Sequence, residues 1–540
     1  MRRLSATPSV ILLPAVLIAF FLWVSFYGLN FGVHWDEPAA KLDSVRDTLK
    51  TGIFLQGSGG AFDGFHYNYG GVNYWLTWAG FGPELVKFFK QGNLTRAGLS
   101  DLLSPIVYSM KIRLRVRAIY LILCSLSILW TFLLAIVLGR SRLESFLAAA
   151  ILAASWEVQY HSRWIAPDEV MMQFALLTIL LFAIGWSYGK LSWIYGGAIS
   201  MGLAIGTKYN AVILLPFFLM GAVPVLWKQT RNLAGIVKHG AALAGISVLT
   251  FVLTTPGIVI DPFHFFYQFQ LQRSIYAAGW YGYSVTPGIA YLWAVLKYFG
   301  LQLFSHYWPL SVMVSIFCLI GFVRLILEKP RWPGVVMTAF VLAYLGYFSQ
   351  QSALIVRNLL IVVPILCLAT ARGIAYAAGW LKLRVPKLSH GLYGGIALIL
   401  AVNMGWEVYA ARQVKRREHF DYFVAKFEDY AKNSPGQTFL VSTALSNMLR
   451  SASSSPLPSN VVTDPQKPYT RVAFLQSEGP ELDKFWPKWP ANWWGMYEAT
   501  FGALEVNLDA YPTFVGNSRI LLLSAEHFRK LPIQVQDLAH

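Results

Sequence analysis

The stretch VILLPAVLIAFFLWVSFYGLNFGVHWDEPAAK, residues 10–41, decides the fold class. Residues 10–27 carry no charge and are about as many as a bilayer-spanning helix needs, roughly 20. No A-x-A-like cleavage site follows. The run therefore reads as an uncleaved first span whose basic end, Arg2 and Arg3, stays in the cytoplasm. Asp36 and Glu37 then stand at the outer lipid–water boundary, where an uncompensated carboxylate is costly.

Outward from there, apolar runs recur at 118–138, 143–158, 170–187, 192–206, 209–226, 240–259, 309–327, 333–349, 355–378 and 391–410, which makes about eleven spans. An alternating path places Arg140 and Arg142, Lys190, Lys228, Arg231 and Lys238, Lys329 and Arg331, and Lys382, Arg384 and Lys387 in short cytoplasmic loops, as the positive-inside rule requires. The odd count puts everything after about residue 411 outside. Residues 289–304, interrupted by Lys297, are expected to lie flat on the outer surface.

Composition supports this reading. The 540 residues are 56% hydrophobic and only 13% charged, with a mean hydropathy of +0.48, whereas soluble domains carry about 25% charged residues. That argues against a soluble enzyme, a disordered chain and a disulfide-rich module. Cys124, Cys318 and Cys367 sit in apolar runs and read as small buried hydrophobes. The net charge of +17 lies largely in the short loops, so nucleic acid is not needed to explain it. The fold class is a mainly α polytopic membrane protein. It carries a small C-terminal α/β domain, with strands at 439–442, 472–476 and 520–524 and a helix at 525–531.

Pro38 suits the first position of a helix, and Leu42, Val45, Leu49 and Ile53 repeat at spacings of three and four. An amphipathic helix lying on the membrane surface is expected, with Asp36 or Glu37 either capping it or serving a site. A Gly- and aromatic-rich stretch follows, including His66, Tyr67 and Tyr69. A second acid, Asp168, follows Pro167 at the outer end of a span, beyond Arg163. Lys208 and Arg357 are isolated cations at outer ends of other spans, where snorkelling is the plainer reading. Two acidic sites and several cations facing one aqueous boundary suit the deprotonation of a hydroxyl and the binding of a phosphate.

The order of these motifs resembles the GT-C-fold, polyprenyl-phosphate-dependent glycosyltransferases, in particular the protein O-mannosyltransferases and the lipid A aminoarabinose transferases. Asp36-Glu37 is similar to that family's Asp-Glu motif, and residues 67–75, ending in Tyr74-Trp75, to its aromatic segment. Arg117 with Leu138-Gly139-Arg140 is similar to its arginine-initiated span. Arg163-Trp164-Ile165-Ala166-Pro167-Asp168, Gly202-Leu203 with Thr207-Lys208, and Arg357 with Pro364 and Ala371-Arg372-Gly373 follow in the family's order. The family's Lys-Pro-Pro-like stretch is absent, and Tyr209 stands where Gly is usual.

The resemblance implies a GT-C-like catalytic module over 1–410, with a first outer loop at 31–115 carrying interfacial helices and a second large outer loop at 260–308. Residues 411–540 form an extracytoplasmic C-terminal domain that matches no named family. The partners implied are a polyprenyl-phosphate sugar such as an undecaprenyl-phosphate derivative, a hydroxyl-bearing acceptor and membrane lipids. Asp36 is the expected base, with Glu37 and Asp168 orienting the acceptor or holding Asp36. Lys208 and Arg357, then Arg115 and Arg117, are the expected phosphate ligands. His66, Tyr67, Tyr69 and Arg163 are candidates for substrate contact. Metal independence is expected, although Asp36 and Asp168 have the oxygen ligands that Mg²⁺ or Mn²⁺ takes. A secondary transporter is the alternative. It is disfavoured because the acids cluster at one face and no inverted repeat is evident.

Overall fold

The computed structural model describes residues 8–30, 36–51, 56, 66–90, 92, 95–279, 284–328, 331–416, 427–442, 445–446, 449, 457–475, 504–508 and 520–529. Residues 57–65 of the Gly-rich stretch, Ile53 and the C-terminal end of the helix expected at 525–531 lie outside the described residues.

The first span is helix α1, Pro8–Tyr27. Pro38–Leu42 forms a π-helical turn in which the Asp43 N–H donates to the Pro38 carbonyl. Helix α2, Asp43–Thr51, follows it. Helices α3 (Gly71–Ala79), α4 (Gly82–Lys90) and α5 (Arg96–Leu103) complete the outer segment before α6, Met110–Val137. The apolar stripe of Leu42, Val45 and Leu49 is buried as its spacing predicts, but against protein. It packs with Tyr74, Trp78, Val116 and Tyr120, so α2 is a core helix of the outer segment and its apolar face is not left for lipid.

The bundle continues with α7 (Arg142–Ala153), α8 (Trp156–His161), α9 (Pro167–Tyr188), α10 (Leu191–Thr207), α11 (Leu214–Thr230) and α12 (Leu233–Thr254). The outer connection that follows carries α13 (Gly257–Ile260), α14 (Pro262–Ala278) and α15 (Ile289–Leu301). Helices α16 (Trp308–Leu327), α17 (Arg331–Phe348), α18 (Val363–Arg384) and α19 (Pro386–Arg416) close it.

Among the described residues, seven helical stretches are long and apolar enough to cross a bilayer, and Leu12–Tyr27, Leu191–Thr207 and Ile289–Leu301 are shorter apolar helices. The protein is a mainly helical, multi-pass integral membrane protein. The run at 143–158 departs from the expected span. Helix α7 has 12 residues, about 18 Å at 1.5 Å per residue, against a hydrocarbon core of about 30 Å. Its residues from Leu147 to Ala153 are all buried, so it is an interior helix. Helix α15 has two faces: Tyr291, Val295 and Tyr298 are buried, while Ile289, Trp293 and Leu296 are exposed.

Helix α18 is the centre of the bundle and meets α16 backbone to backbone. A Cβ on Gly321 would lie 1.7 Å from the Ala369 carbonyl oxygen, and one on Gly373 would lie 1.9 Å from that of Phe317. Small residues at such crossings let membrane helices approach closely.

In the C-terminal region a five-stranded sheet has the order β2-β1-β3-β5-β4. Strands β1 (Phe439–Val441), β2 (Val461–Val462) and β3 (Arg471–Leu475) run parallel, whereas β5 (Ile520–Ser524) is antiparallel to β3 and to β4, Leu504–Leu508. Helix α20, Ala525–Arg529, follows β5. Three strands lie within one residue of the expected positions. Strand β2, two residues long, and β4 give too little pattern to be read from sequence.

Candidate active site

Asp36, Asp168, Lys208 and Arg357 come together although they are far apart in the chain. Asp36 precedes the π turn, Asp168 sits in the first turn of α9, Lys208 caps the end of α10, and Arg357 lies in a short 3₁₀ segment, Val356–Val362, ahead of α18. Neither Glu37 nor Asp168 acts as a helix cap, because no side-chain cap bond forms at either helix start.

The four side chains form one buried ionic chain. Arg357 Nη1 lies 3.0 Å from Asp36 Oδ2, and Arg357 Nε lies 3.6 Å from Asp168 Oδ2. Lys208 Nζ donates to Asp168 Oδ1 at 2.5 Å and to Asn358 Oδ1 at 2.6 Å. The Tyr69 hydroxyl donates to Asp36 Oδ2 at 3.2 Å. Tyr276 donates to Asn358 Oδ1 at 3.2 Å, which ties the second outer segment to the site. Tyr344 donates to the Asn358 carbonyl at 2.7 Å.

Tyr69 reaches this chain because its loop is docked on the end of α10. The Gly70 N–H donates to the Thr207 carbonyl at 3.2 Å, and Asn73 Nδ2 donates to the same oxygen at 2.7 Å. Only glycine fits here, since a Cβ on Gly70 would lie 2.1 Å from the Gly206 carbonyl oxygen.

Glu37 does a different job. It accepts from Arg113 Nη1 at 2.8 Å and from Arg117 Nε and Nη2 at 2.6 and 2.9 Å, all buried. Burial raises its carboxyl, and Arg117 and then Arg113 outweigh that, holding it below the usual range. Arg117 also donates to the Leu29 carbonyl at 2.9 Å, so the trio ties the end of the first span to α6.

The remaining expected residues take other partners. Arg115 pairs with Glu84 on α4. His66 lies between Asp47 at 3.0 Å and Ser44 at 3.3 Å, buried on α2. The Tyr67 N–H donates to Gln268 Oε1 at 2.5 Å, and its ring packs edge-on against His264 and Phe265. Arg163 donates to Gln159 Oε1 at 2.6 Å and lies over the Trp156 ring. Of the four substrate-contact candidates, Tyr69 alone is hydrogen-bonded to a member of the ionic chain.

Two buried donors escaped the sequence reading. Lys41 is fully buried, and its Nζ has no hydrogen-bond partner among the described residues. It lies 4.9 Å from the centre of the Tyr69 ring and 6.0 Å from that of Trp164. Burial pushes its ammonium below the ordinary lysine value, against the pull of Asp36. Ala40, just before it, has a left-handed φ of +57°, a strained conformation for alanine. That kink in the π turn is invisible to helical periodicity. Asn358 Nδ2 is likewise buried without a partner. Its only sequence signal was its place beside Arg357. Among the described residues no three His, Cys, Asp or Glu side chains are grouped to hold a metal ion.

Residues 102–277 match the family described as dolichyl-phosphate-mannose-protein mannosyltransferase. The match spans about a third of the chain. The matched part contains Asp168 and Lys208, while Asp36 and Arg357 lie on either side of it. Among solved structures, ArnT from Cupriavidus metallidurans bound to undecaprenyl phosphate is 13% identical over 96% of this chain and 98% of its own, with a TM-score of 0.49. The Archaeoglobus fulgidus oligosaccharyltransferase in its apo form is 12% identical over 85% and 61%, with a TM-score of 0.44. The arabinosyltransferase EmbB from Mycobacterium smegmatis is 12% identical over 77% and 42%, with a TM-score of 0.40. No curated protein matches the chain.

Proposed function

We propose that the protein is a membrane glycosyltransferase that moves a sugar from a polyprenyl-phosphate donor to a hydroxyl acceptor at the extracytoplasmic face, with inversion and with Asp36 as base. The observation that carries this is the buried contact of Asp36 with Arg357, continued through Asp168 to Lys208. It sets a carboxylate beside cations in a water-poor site. An oxocarbenium-like transition state develops positive charge at the anomeric carbon and negative charge on the leaving phosphate. Arg357 and Lys208 are placed to stabilise the phosphate. As the donor phosphate draws Arg357, Asp36 Oδ2 is released to take the acceptor's proton, a role that contributes about 10²–10⁴-fold. Asp168 orients both cations, and Glu37 with Arg113 and Arg117 anchors the loop that carries Asp36.

The topology is read as about eleven spans with a cytoplasmic N-terminus, the short α7 carrying the chain across inside the bundle between Arg140 and Asp168. It is supported by the charge pattern. Asp168, Lys208 and Arg357 mark one end of their helices, whereas Arg140, Lys190 and Lys228 mark the other. On this path the C-terminal domain is extracytoplasmic. The test is transfer from synthetic polyprenyl-phosphate sugars by purified protein, with the anomeric configuration of the product read by NMR. A product of retained configuration would overturn the single-displacement mechanism.

A further inference from the structure

The buried Lys41 ammonium is a charge that the ionic chain does not use. It lies on the same ring of Tyr69 that Lys208 faces from 5.8 Å, and Asp36, Arg357, Glu37 and Asp168 are the charged groups around it. Glu37 is already matched by Arg113 and Arg117. Asp168 also meets His161, which is paired with Glu157 at 3.3 Å, and Glu169, which lies toward Glu157 and Cys124. At the Tyr69 and Trp164 rings themselves Lys41, Lys208 and Arg357 gather against Asp36 and Asp168, three cations and two carboxylates. Among the described residues, two donors buried there, Lys41 Nζ and Asn358 Nδ2, have no acceptor. A buried donor left in that state costs roughly 1–3 kcal/mol, and more for a charged group. These two donors and the excess cation suit an acceptor that carries one net negative charge.

A phosphodiester has that charge. Resting on the donor reading above, we propose that Lys41 completes an anion seat with Lys208 and Arg357, and that the seat gains one positive charge when Asp36 takes the acceptor's proton, so that the departing lipid phosphate is held as a dianion and binds with uptake of one proton. In the step, the bond from the anomeric carbon to the phosphate oxygen breaks and its electron pair stays on that oxygen. The acceptor oxygen forms the new bond to carbon, and its proton goes to an Asp36 carboxylate oxygen. The phosphodiester, with one charge, becomes a monoester whose second ionisation has a pKa of about 6. Seat and ligand thus stay matched before and after transfer. Release of the lipid phosphate requires Asp36 to give up its proton, which also resets the base.

The test is calorimetric titration of the full-length protein in detergent with a short-chain polyprenyl monophosphate, near pH 7.5, in buffers of different ionisation enthalpy. Wild type is expected to take up close to one proton per ligand bound. Asp36→Asn, which carries the matched charge permanently, is expected to bind with no proton uptake. Lys41→Met is expected to bind at least about tenfold more weakly, as for loss of one charge-assisted hydrogen bond. Lys41→Arg is expected to recover most of that affinity. Binding without proton uptake in wild type would overturn the charge matching. Uptake that persists in Asp36→Asn would place the proton on the phosphate and overturn the role given to Asp36. Undiminished binding by Lys41→Met would remove Lys41 from the seat. No binding by wild type in any buffer would overturn the donor reading itself, and this inference with it.

Discussion

Arg357 reaches both carboxylates of the site: its Nη1 is 3.0 Å from Asp36 and its Nε 3.6 Å from Asp168. A single planar guanidinium thus couples the first outer loop to the start of α9. Lysine has one charged nitrogen and no fork. Arg357→Lys is therefore expected to cut transfer by at least about tenfold, chiefly through a higher KM for the donor, while thermal melting in detergent changes little. An Arg357→Lys enzyme with wild-type KM and kcat would remove Arg357 from the phosphate site.

Replacing the proposed base keeps most of its surroundings. Asp36→Asn keeps the size of the side chain and an acceptor for Tyr69, and Arg357 retains Asp168. The expected result is a loss of about 10²–10⁴ in kcat from protein that still elutes as folded on size-exclusion chromatography. A variant that turns over normally would exclude Asp36 as base.

Glu37 governs stability. Breaking a buried ion pair by removing one partner costs about 3–5 kcal/mol, so Glu37→Gln is expected to melt well below wild type. The sign with pH follows from its lowered pKa. Its contribution is complete above the unfolded value, about 4.3, and is lost as pH falls through the lower folded value. Melting curves across pH 3–6 should converge for wild type and Glu37→Gln at the acid end. Parallel curves would contradict this.

Arg115 separates sequence expectation from geometry. It pairs with Glu84 on α4 and is partly exposed, and such pairs contribute about 0–1 kcal/mol. Arg115→Ala is expected to keep donor KM within about twofold and to melt close to wild type. A large rise in KM would return Arg115 to the phosphate site.

The α16–α18 crossing should be intolerant of bulk. With the Phe317 carbonyl 1.9 Å from a Cβ on Gly373, Gly373→Leu must separate the two helices. The expected outcome is loss of folded protein on size-exclusion chromatography, together with displacement of Arg357, which precedes α18.

Much of this was legible beforehand, for a physical reason. Apolar length and loop charge act over whole helices, so the membrane class followed from averages over many residues. The isolated charges Asp36, Asp168, Lys208 and Arg357 stood out because ionisable groups are scarce where spans meet water. Lys41 was hidden because its position depends on a π turn and one left-handed alanine, features set by tertiary packing. Arg115 and Arg117 were grouped together because they are close in sequence, yet they lie two apart on α6 and point to different partners, Glu84 and Glu37. The interior course of α7 was hidden because an Ala-rich buried helix and a membrane span share one composition.

The two ends of the Asp36–Arg357 contact are separated by about 320 residues of chain. At synthesis rates of 5–20 residues per second, Asp36 emerges roughly 15–60 s before Arg357 exists. During that interval Glu37 already has its arginines from α6, so the loop is anchored early, while its neighbouring carboxylate waits on a helix near the end of the membrane region. The proposed site is therefore completed late in the chain's own biogenesis. A truncated product ending before Arg357 would insert into the membrane without the proposed site.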